Sequence, residues 1–212
     1  IPHDYTAALS LQQTEIAIKQ IKDFFLSSIS TELRLRRVTA PLFVLKGLGM
    51  NDDLSGTERP VTFPIKDMAE AEAAVVHSLA KWKRLALKRY GFSVGNGLYT
   101  DMNAIRRDET LDNIHSIYVD QWDWEKIITR ETRTPEYLKL IVRAIVRAIC
   151  DTCDQLHVRF PQLSTELSRD VVFITTQELE DLYPDMTGSQ RESAFLREHK
   201  TAFIMQIGGK LR

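Results

Sequence analysis

The sequence predicts an α+β protein whose mainly antiparallel sheet is flanked by helices. Two extended segments, residues 98–106 and 116–124, are joined by a charged loop and predict an antiparallel hairpin with a long connection. Residues 134–157 have the apolar periodicity and end signals of a long helix. Strands and helices alternate irregularly along the rest of the chain, which argues against a parallel strand–helix–strand fold.

The first element is a helix over residues 10–30. Ser10 is its expected N-cap, and three apolar residues share one face through their spacing: Ile18, Ile21 and Phe25. A strand over residues 33–40 follows and ends at Pro41, which has no N–H to donate to a neighbouring strand. Residues 46–58 are rich in glycine and aspartate, which is typical of a loop.

The next segment supports two interpretations. Residues 61–63 form a short extended piece, and the pattern alone then predicts one Ala-rich helix over residues 67–90. Alternatively, residues 75–78 are the end of a strand, and Ser78 caps a shorter helix over residues 79–90. Three glycines break the chain after this segment: Gly91, Gly95 and Gly97.

The C-terminal part begins with the helix over residues 134–157. Thr134 is its expected cap, Pro135 occupies the first helical position, and Glu136 complements the helix dipole. A strand over residues 171–175 precedes two helices and a last strand, and these three elements are expected at residues 176–183, 188–199 and 202–207, with Gly208 and Gly209 as the end. We expect one domain spanning residues 1–212.

Composition excludes several classes of protein. The 212 residues carry 28 basic and 29 acidic side chains, so the formal net charge of −1 does not favour binding to nucleic acid or to a membrane surface. No apolar run approaches the roughly 20 residues that span a bilayer. The first residues lack the features of a secretory signal, and two cysteines fit a reduced compartment, so we expect a cytoplasmic protein.

Several familiar site motifs are absent, and two local patterns have ordinary structural explanations. The chain has neither a P-loop nor a Rossmann glycine motif. Cys150, Cys153 and His157 share one helical face, but a structural zinc needs a fourth ligand, so packing of two small apolar residues is favoured. Trp82 lies in a basic run, residues 81–84, for which a solvated helix face is favoured over a nucleic-acid surface.

The second strand of the hairpin carries a row of polar side chains. Strand alternation places Gln121, Asp123 and Glu125 on one face, and it places Asp120, Trp122 and Trp124 on the other. A polar row on a sheet is costly unless it is paired or serves a ligand. From the spacing alone, a ligand site and an edge strand with a solvated face remain equally supported.

At this hairpin the sequence resembles a known family. Arg106, Asp108-Glu109 and Gln121-Trp122-Asp123 resemble motif 2 of class II aminoacyl-tRNA synthetases, and the first helix and the strand ending at Pro41 resemble motif 1. The sequence is more similar to ammonia-dependent asparagine synthetases, which share the class II synthetase-like catalytic core. Five stretches carry this resemblance: residues 51–56, 75–84, 97–109, 115–125 and 207–211. The resemblance also favours a strand before Ser78 and a helix after it.

The resemblance implies that aspartate, ATP and ammonia yield asparagine, AMP and pyrophosphate. It implies Arg106 as a clamp on the α-phosphoryl group, with further ATP contacts from Asp108, Glu109, Ile114 and Ser116. It implies an aspartate site formed by Asp52, Ser78, Lys83, Gln121 and Asp123. Lys83 would face the carboxylates of aspartate, whereas Asp52 would either receive ammonia or hold the α-ammonium group. The catalytic set would be Asp52, Lys83, Arg106 and Gln121.

The resemblance also implies parts that lie beyond the sequence. In the family the chain continues past Gly208-Gly209-Lys210-Leu211 to acidic Mg²⁺ ligands and to motif 3, so we expect a catalytic domain that is incomplete at its C-terminus and holds no metal ligand itself. The motif 1-like helix and strand imply a homodimer. Two alternatives are an aspartyl- or asparaginyl-tRNA synthetase core and a non-catalytic dimerising paralogue.

Overall fold

The computed structural model describes residues 3–52, 54, 56–165 and 167–207. They form two compact units, of which the first comprises Ile1–Thr6 and Leu33–Arg130 and the second Ala7–Glu32 and Glu131–Arg212. In chain order the elements are α1 (Leu11–Leu33), β1 (Leu35–Arg37), β2 (Phe43–Leu45), β3 (Thr62–Ile65), β4 (Ala71–Val75), α2 (Ala80–Arg89), β5 (Gly97–Ile105), β6 (Tyr118–Lys126), α3 (Pro135–Arg159), β7 (Val172–Thr175), α4 (Thr176–Leu182), α5 (Gly188–Glu198) and β8 (Ala202–Met205). The predicted α+β class is confirmed, while the single domain stays a prediction.

The predicted hairpin is the longest strand pair of the first unit. β5 and β6 pair antiparallel from Gly97↔Lys126 to Ile105↔Tyr118, and the short β1 adds to β5 in parallel. The sequence predicted that Gly97 breaks the chain, but Gly97 is the first residue of the central strand β5. A Cβ at this position would lie 2.3 Å from the Glu125 carbonyl oxygen and 2.8 Å from Leu35, so only glycine lets the three strands meet here.

The segment with two interpretations contains a strand and a shorter helix. β4 is the central strand of a second, antiparallel sheet in the order β2-β4-β3, so the prediction of one helix over residues 67–90 is wrong. The N-cap residue of α2 is Leu79 rather than the predicted Ser78, although Ser78 Oγ still accepts a hydrogen bond from the Ala80 N–H at 3.3 Å. The predicted strand over residues 33–40 shortens to β1, because α1 extends to Leu33.

Helix α2 packs against one face of the β5–β6 hairpin. Two small cores join them, the first formed by Val38, Ala86, Leu87 and Leu98, and the second by Val76, Leu79, Met102 and Ala104. Trp82 is half-buried against both cores, so it is not an exposed stacking surface. Under α2, the side chains of β5 are therefore buried and mainly apolar, whereas those of β6 are polar.

The second unit contains helices whose ends follow sequence signals. Ser10 and Gln13 cap α1 reciprocally, with N···O distances of 3.3 and 2.9 Å. Thr134 caps α3 by accepting the Tyr137 N–H, as predicted. Of the predicted apolar face of α1, Phe25 is buried and Ile21 half-buried, whereas Ile18 is 43% exposed. The other buried residues of the helix lie four or eight residues from Phe25: Ala17, Ile29 and Leu33.

The remaining elements of the second unit largely agree with the predicted positions. β7 and β8 pair in parallel beside α4 and α5, and Ile174, Leu179 and Phe195 form their core. The predicted end of the last strand at Gly208 and Gly209 lies outside the described residues. Burial raises the pKa of the Cys150 thiol, which favours packing over thiolate chemistry for the cysteine pair. Within the described residues we find no helix long and apolar enough to cross a membrane.

Candidate active site

The polar row of the hairpin faces helix α2. In the β5–β6 register Met102 lies opposite Gln121, Thr100 opposite Asp123, and Leu98 opposite Glu125, so the three polar residues share the face that α2 covers. Gln121 Nε2 lies 3.2 Å from the Met102 sulfur. The predicted alternation is therefore confirmed, and the row is not the solvated face of an edge strand.

Lys83 is the cation that this polar row surrounds. Its side chain is 4% exposed and enters the row from α2. Nζ pairs with Asp123 Oδ1, donates to the Trp124 carbonyl at 3.1 Å and lies 3.8 Å from Glu125 Oε2. A buried ammonium with two carboxylate partners is already neutralised. Lys83 thus orients Asp123, and its predicted contact with a substrate carboxylate stays a prediction.

Asp52 lies at the N-terminus of α2. Its carboxylate accepts the Lys81 N–H at 3.4 Å, lies 3.5 Å from Lys81 Nζ, and is 19% exposed. Free N–H groups and the helix dipole stabilise negative charge at this end of a helix. Asn51 anchors the loop, because its amide bridges the Val75 carbonyl at 3.2 Å and the His77 N–H at 2.8 Å. Ser78 lies between that anchor and α2.

A cavity of about 270 Å³ at the end of the hairpin brings together three of the five predicted nucleotide residues, Arg106, Asp108 and Glu109. Its lining comprises Leu54, Glu58, His77, Arg106, Arg107, Asp108 and Glu109. The Nε atom of Arg106 and the Nε2 atom of His77 are buried without a hydrogen-bond partner among the described residues. An arginine with a free donor beside a cavity is suited to bind an oxygen-rich anion.

Asp108, which lines this cavity, forms an ion pair with Arg59. Asp108 accepts the Arg59 backbone N–H at 2.8 Å and three further hydrogen bonds from the Arg59 guanidinium at 2.5–3.2 Å. These bonds lower the pKa of Asp108 from 3.8 to about 2. The carboxylate is therefore engaged by Arg59, which leaves its predicted contact with ATP as a prediction. The pair links the loop that carries Asp52 to the turn that carries Arg106.

Replacing Arg59 with glutamine is expected to raise the pKa of Asp108 from about 2 toward 3.8. The lowered pKa means that the pair stabilises the fold above about pH 4 and that this contribution is lost as pH falls toward about 2. Carboxyl ¹³C NMR titration of Asp108 measures the shift, with Arg84→Gln as the control, since Arg84 lies beside Glu125 instead. An unchanged Asp108 midpoint would contradict the pairing.

Residues 111–116 of the loop after Arg106 are not part of the cavity lining. Asp112 accepts N–H bonds from Ile114 and His115, both at 2.8 Å, and contacts the His115 ring, which lowers the pKa of Asp112. Ile114 is 80% exposed, and Ser116 Oγ accepts the Tyr118 N–H at 3.3 Å. Ile114 and Ser116 are not among the residues that line the cavity, so their ATP contacts stay predictions.

The sequence model of aspartate–ammonia ligases matches residues 12–212, which is nearly the whole chain. The chain belongs to the aspartate–ammonia ligase family. It is 59% identical over 211 residues to the aspartate–ammonia ligase of Clostridium perfringens (strain SM101 / Type A), covering 100% of this chain and 63% of that protein. It is 56% identical over 210 residues to the aspartate–ammonia ligase of Bacteroides fragilis (strain YCH46), covering 99% of this chain and 61% of that protein.

The fold of this family member resembles that of the class II synthetases. An asparaginyl-tRNA synthetase from Pyrococcus horikoshii, solved with asparaginyl-adenylate, matches with a TM-score of 0.58 at 14% identity, covering 91% of this chain and 45% of that one. This similarity shows the fold alone, and it agrees with the predicted class II synthetase-like core. The much higher identity to ligases separates the chain from the tRNA synthetases among the alternatives.

Three residues of this aspartate–ammonia ligase family member were missed by the sequence reasoning: Asn51, Arg59 and His77. Each acts through a partner far away in the chain, such as Asp108 for Arg59. No local periodicity indicates such a pair, since the partners are 49 residues apart. Their positions could have indicated them: Asn51 and His77 lie inside stretches that resemble the family, and Arg59 lies three residues after one of them.

Proposed function

We propose that the protein containing this chain catalyses the ATP-dependent amidation of L-aspartate by ammonia through β-aspartyl-AMP, releasing AMP and pyrophosphate. The family membership supports this activity, and the chain covers 61–63% of the length of the curated relatives it matches. The structural observation that carries the proposal is the buried, unpartnered Nε of Arg106 at the wall of a 270 Å³ cavity. Such a donor is suited to bind a ligand group with several acceptor oxygens, and the α-phosphoryl group of ATP is one.

In the activation step, the side-chain carboxylate of aspartate attacks the α-phosphorus and displaces pyrophosphate. Arg106 binds the α-phosphoryl oxygens, where negative charge increases in the transition state. Glu109, on the same cavity wall, accepts from the ribose or adenine donors of ATP. Asp108, which Arg59 holds, keeps the turn between these two residues in place.

Aspartate is bound by the polar row of β6 together with Ser78. Asp123 accepts from the α-ammonium group, and Lys83 holds the Asp123 carboxylate in the required orientation. Gln121, two residues earlier on the same face, hydrogen-bonds a carboxylate of the substrate. In this arrangement the charge of Lys83 also limits the repulsion between Asp123 and the substrate carboxylates.

In the second step, ammonia attacks the acyl carbon of β-aspartyl-AMP and AMP leaves with the electrons of the acyl–oxygen bond. Most ammonia is protonated at neutral pH, so a carboxylate that gathers ammonium and accepts its proton assists this step. Asp52 is proposed for this role, because its carboxylate is 19% exposed at the N-terminus of α2, where it contacts the Lys81 N–H and lies 3.5 Å from Lys81 Nζ.

Replacing Asp52 with asparagine is expected to slow asparagine formation about 10²-fold, the usual contribution of a general base, while aspartate-dependent pyrophosphate exchange changes less than about threefold. The two rates are measured on the same preparation. Asp67→Asn serves as the control, since Asp67 is an exposed acid of the same unit. An equal loss in both assays would instead assign Asp52 to the α-ammonium group.

Mg²⁺, the homodimer and the cytoplasmic location belong to the same proposal. No group of three or more His, Cys, Asp or Glu side chains suited to a metal lies within the described residues. That the Mg²⁺ ligands lie beyond residue 212 stays an expectation from the family resemblance. Exposed apolar residues of α1 support a dimer contact through this helix: Leu11, Ile16 and Ile18. Light scattering of the complete protein measures its oligomeric state.

Aspartate-dependent exchange of labelled pyrophosphate into ATP tests the activity, followed by addition of ammonia to the complete protein. Exchange that gives way to asparagine and AMP supports the ligase. Exchange without asparagine formation would indicate a tRNA synthetase-like enzyme, and absence of exchange would indicate a non-catalytic paralogue.

A further inference from the structure

His77 is buried in the unit that contains the candidate site, yet one of its ring nitrogens has no partner. The residue follows β4, is 1% exposed, and uses its backbone N–H to bind the Asn51 side chain at 2.8 Å. Its Nε2 atom has no hydrogen-bond partner among the described residues. A buried polar atom without a partner lowers the stability of a fold, so it is uncommon unless it has a function.

The same cavity contains the second unpartnered donor. His77 and Arg106 both line the 270 Å³ cavity, and the Arg106 Nε atom is also buried without a partner. Arginine carries donors only, so the group that binds Arg106 Nε must be an acceptor. An acceptor with several oxygens, such as a phosphoryl group, accepts from Arg106 Nε and from a His77 Nε2–H at once.

The charges around the cavity fit a nucleoside phosphate. Arg106 and Arg107 contribute positive charge, and Glu58 and Glu109 contribute negative charge, while Asp108 is engaged by Arg59. An inorganic anion would be attracted by the two arginines but repelled by the two glutamates. A nucleotide offers phosphoryl oxygens to the arginines and hydroxyl or amino donors to the carboxylates.

We propose that His77 is a further nucleotide-binding residue of this site, whose Nε2–H donates a hydrogen bond to the phosphoryl group that Arg106 also binds. This assignment rests on the proposed function, and His77 takes no part in proton transfer. His77 therefore stabilises the bound nucleotide, and its unpartnered nitrogen destabilises the free protein.

Two variants of the complete protein test this assignment. His77→Leu removes the nitrogen at similar volume, and His77→Gln returns an N–H near the position of Nε2. We expect His77→Leu to melt at or above the temperature of the wild type without ligand, to lose the rise in melting temperature caused by AMP, and to reduce exchange at least tenfold. His77→Gln should recover part of both the AMP response and exchange.

The outcomes separate this inference from the proposed function. A His77→Leu protein that melts lower but keeps its AMP response and exchange would show that His77 has a structural role, and the inference would be wrong. A wild type without exchange or AMP response would overturn the proposed function, and this assignment with it. If His77→Leu does not fold, His77→Gln is compared with His77→Asn, because only the glutamine side chain places an amide nitrogen near the position of Nε2. Equal AMP responses of these two variants would overturn the assignment.

Discussion

Arg106→Ala is expected to lower aspartate-dependent pyrophosphate exchange by about 10²–10³-fold, the loss typical of removing one preorganised group that stabilises transition-state charge. Arg106 directly follows β5 and lines the cavity, and its Nε atom has no partner among the described residues that would remain after ligand binding is lost. Stability should change little, because the side chain has no ion pair with a described residue to lose. Exchange kinetics and urea unfolding of the complete protein measure the two effects.

A matched surface arginine provides the control for this variant. Arg89→Ala removes an exposed guanidinium from the end of α2 and should leave exchange within about twofold. Arg106→Lys keeps the charge but not the planar set of donors, so it should recover only a small part of the rate. Exchange that survives in Arg106→Ala at the level of the Arg89 control would exclude Arg106 from the activation step.

The parts of the fold that the sequence predicted are those with strong local signals. α3 begins at Pro135 as expected, because Thr134, the proline and Glu136 all favour the same helix start. The hairpin was equally predictable, since alternation continues over nine residues in each strand. In both cases the deciding interactions lie within a few residues or within one repeating pattern.

The parts that were missed depend on partners distant in sequence. β4 reads Ala-Glu-Ala-Ala-Val, a composition that favours a helix in isolation, and it is a strand because β2 and β3 pair with it on both edges. β1 has only three residues and is defined by its register with β5. Tertiary pairing overrides local propensity in these short elements, so no pattern within them reveals it.

The candidate site shows the same division. Residues in the family-like stretches could be selected from the sequence, and the structure does gather Arg106, Asp108 and Glu109 at one cavity. The partner of each charged group could not be predicted. Lys83 was expected to meet a substrate carboxylate, whereas its ammonium contacts two carboxylates of β6, and no spacing rule links residues 40 apart.

Lys83→Met is expected to lower the free energy of unfolding by about 2–3 kcal/mol, somewhat less than the usual cost of breaking a fully buried pair because its carboxylate partners are partly exposed. The side chain of Lys83 is 4% exposed, and those of Asp123 and Glu125 are 20% and 27% exposed. Without the ammonium, two like charges would remain side by side under α2, and Asp123 would lose its orientation. We therefore expect a higher KM for aspartate as well.

Restoring neutrality separates the structural effect from the functional one. Adding Asp123→Asn and Glu125→Gln to Lys83→Met removes the unpaired charges, so the triple variant should regain most of the lost stability in urea unfolding. Its KM for aspartate should stay raised, because the triple variant also lacks the Asp123 carboxylate that we propose as the acceptor for the α-ammonium group. Lys88→Met, an exposed lysine of the same helix, should change neither property. If the triple variant is no more stable than Lys83→Met, repulsion between the unpaired carboxylates does not cause the loss of stability.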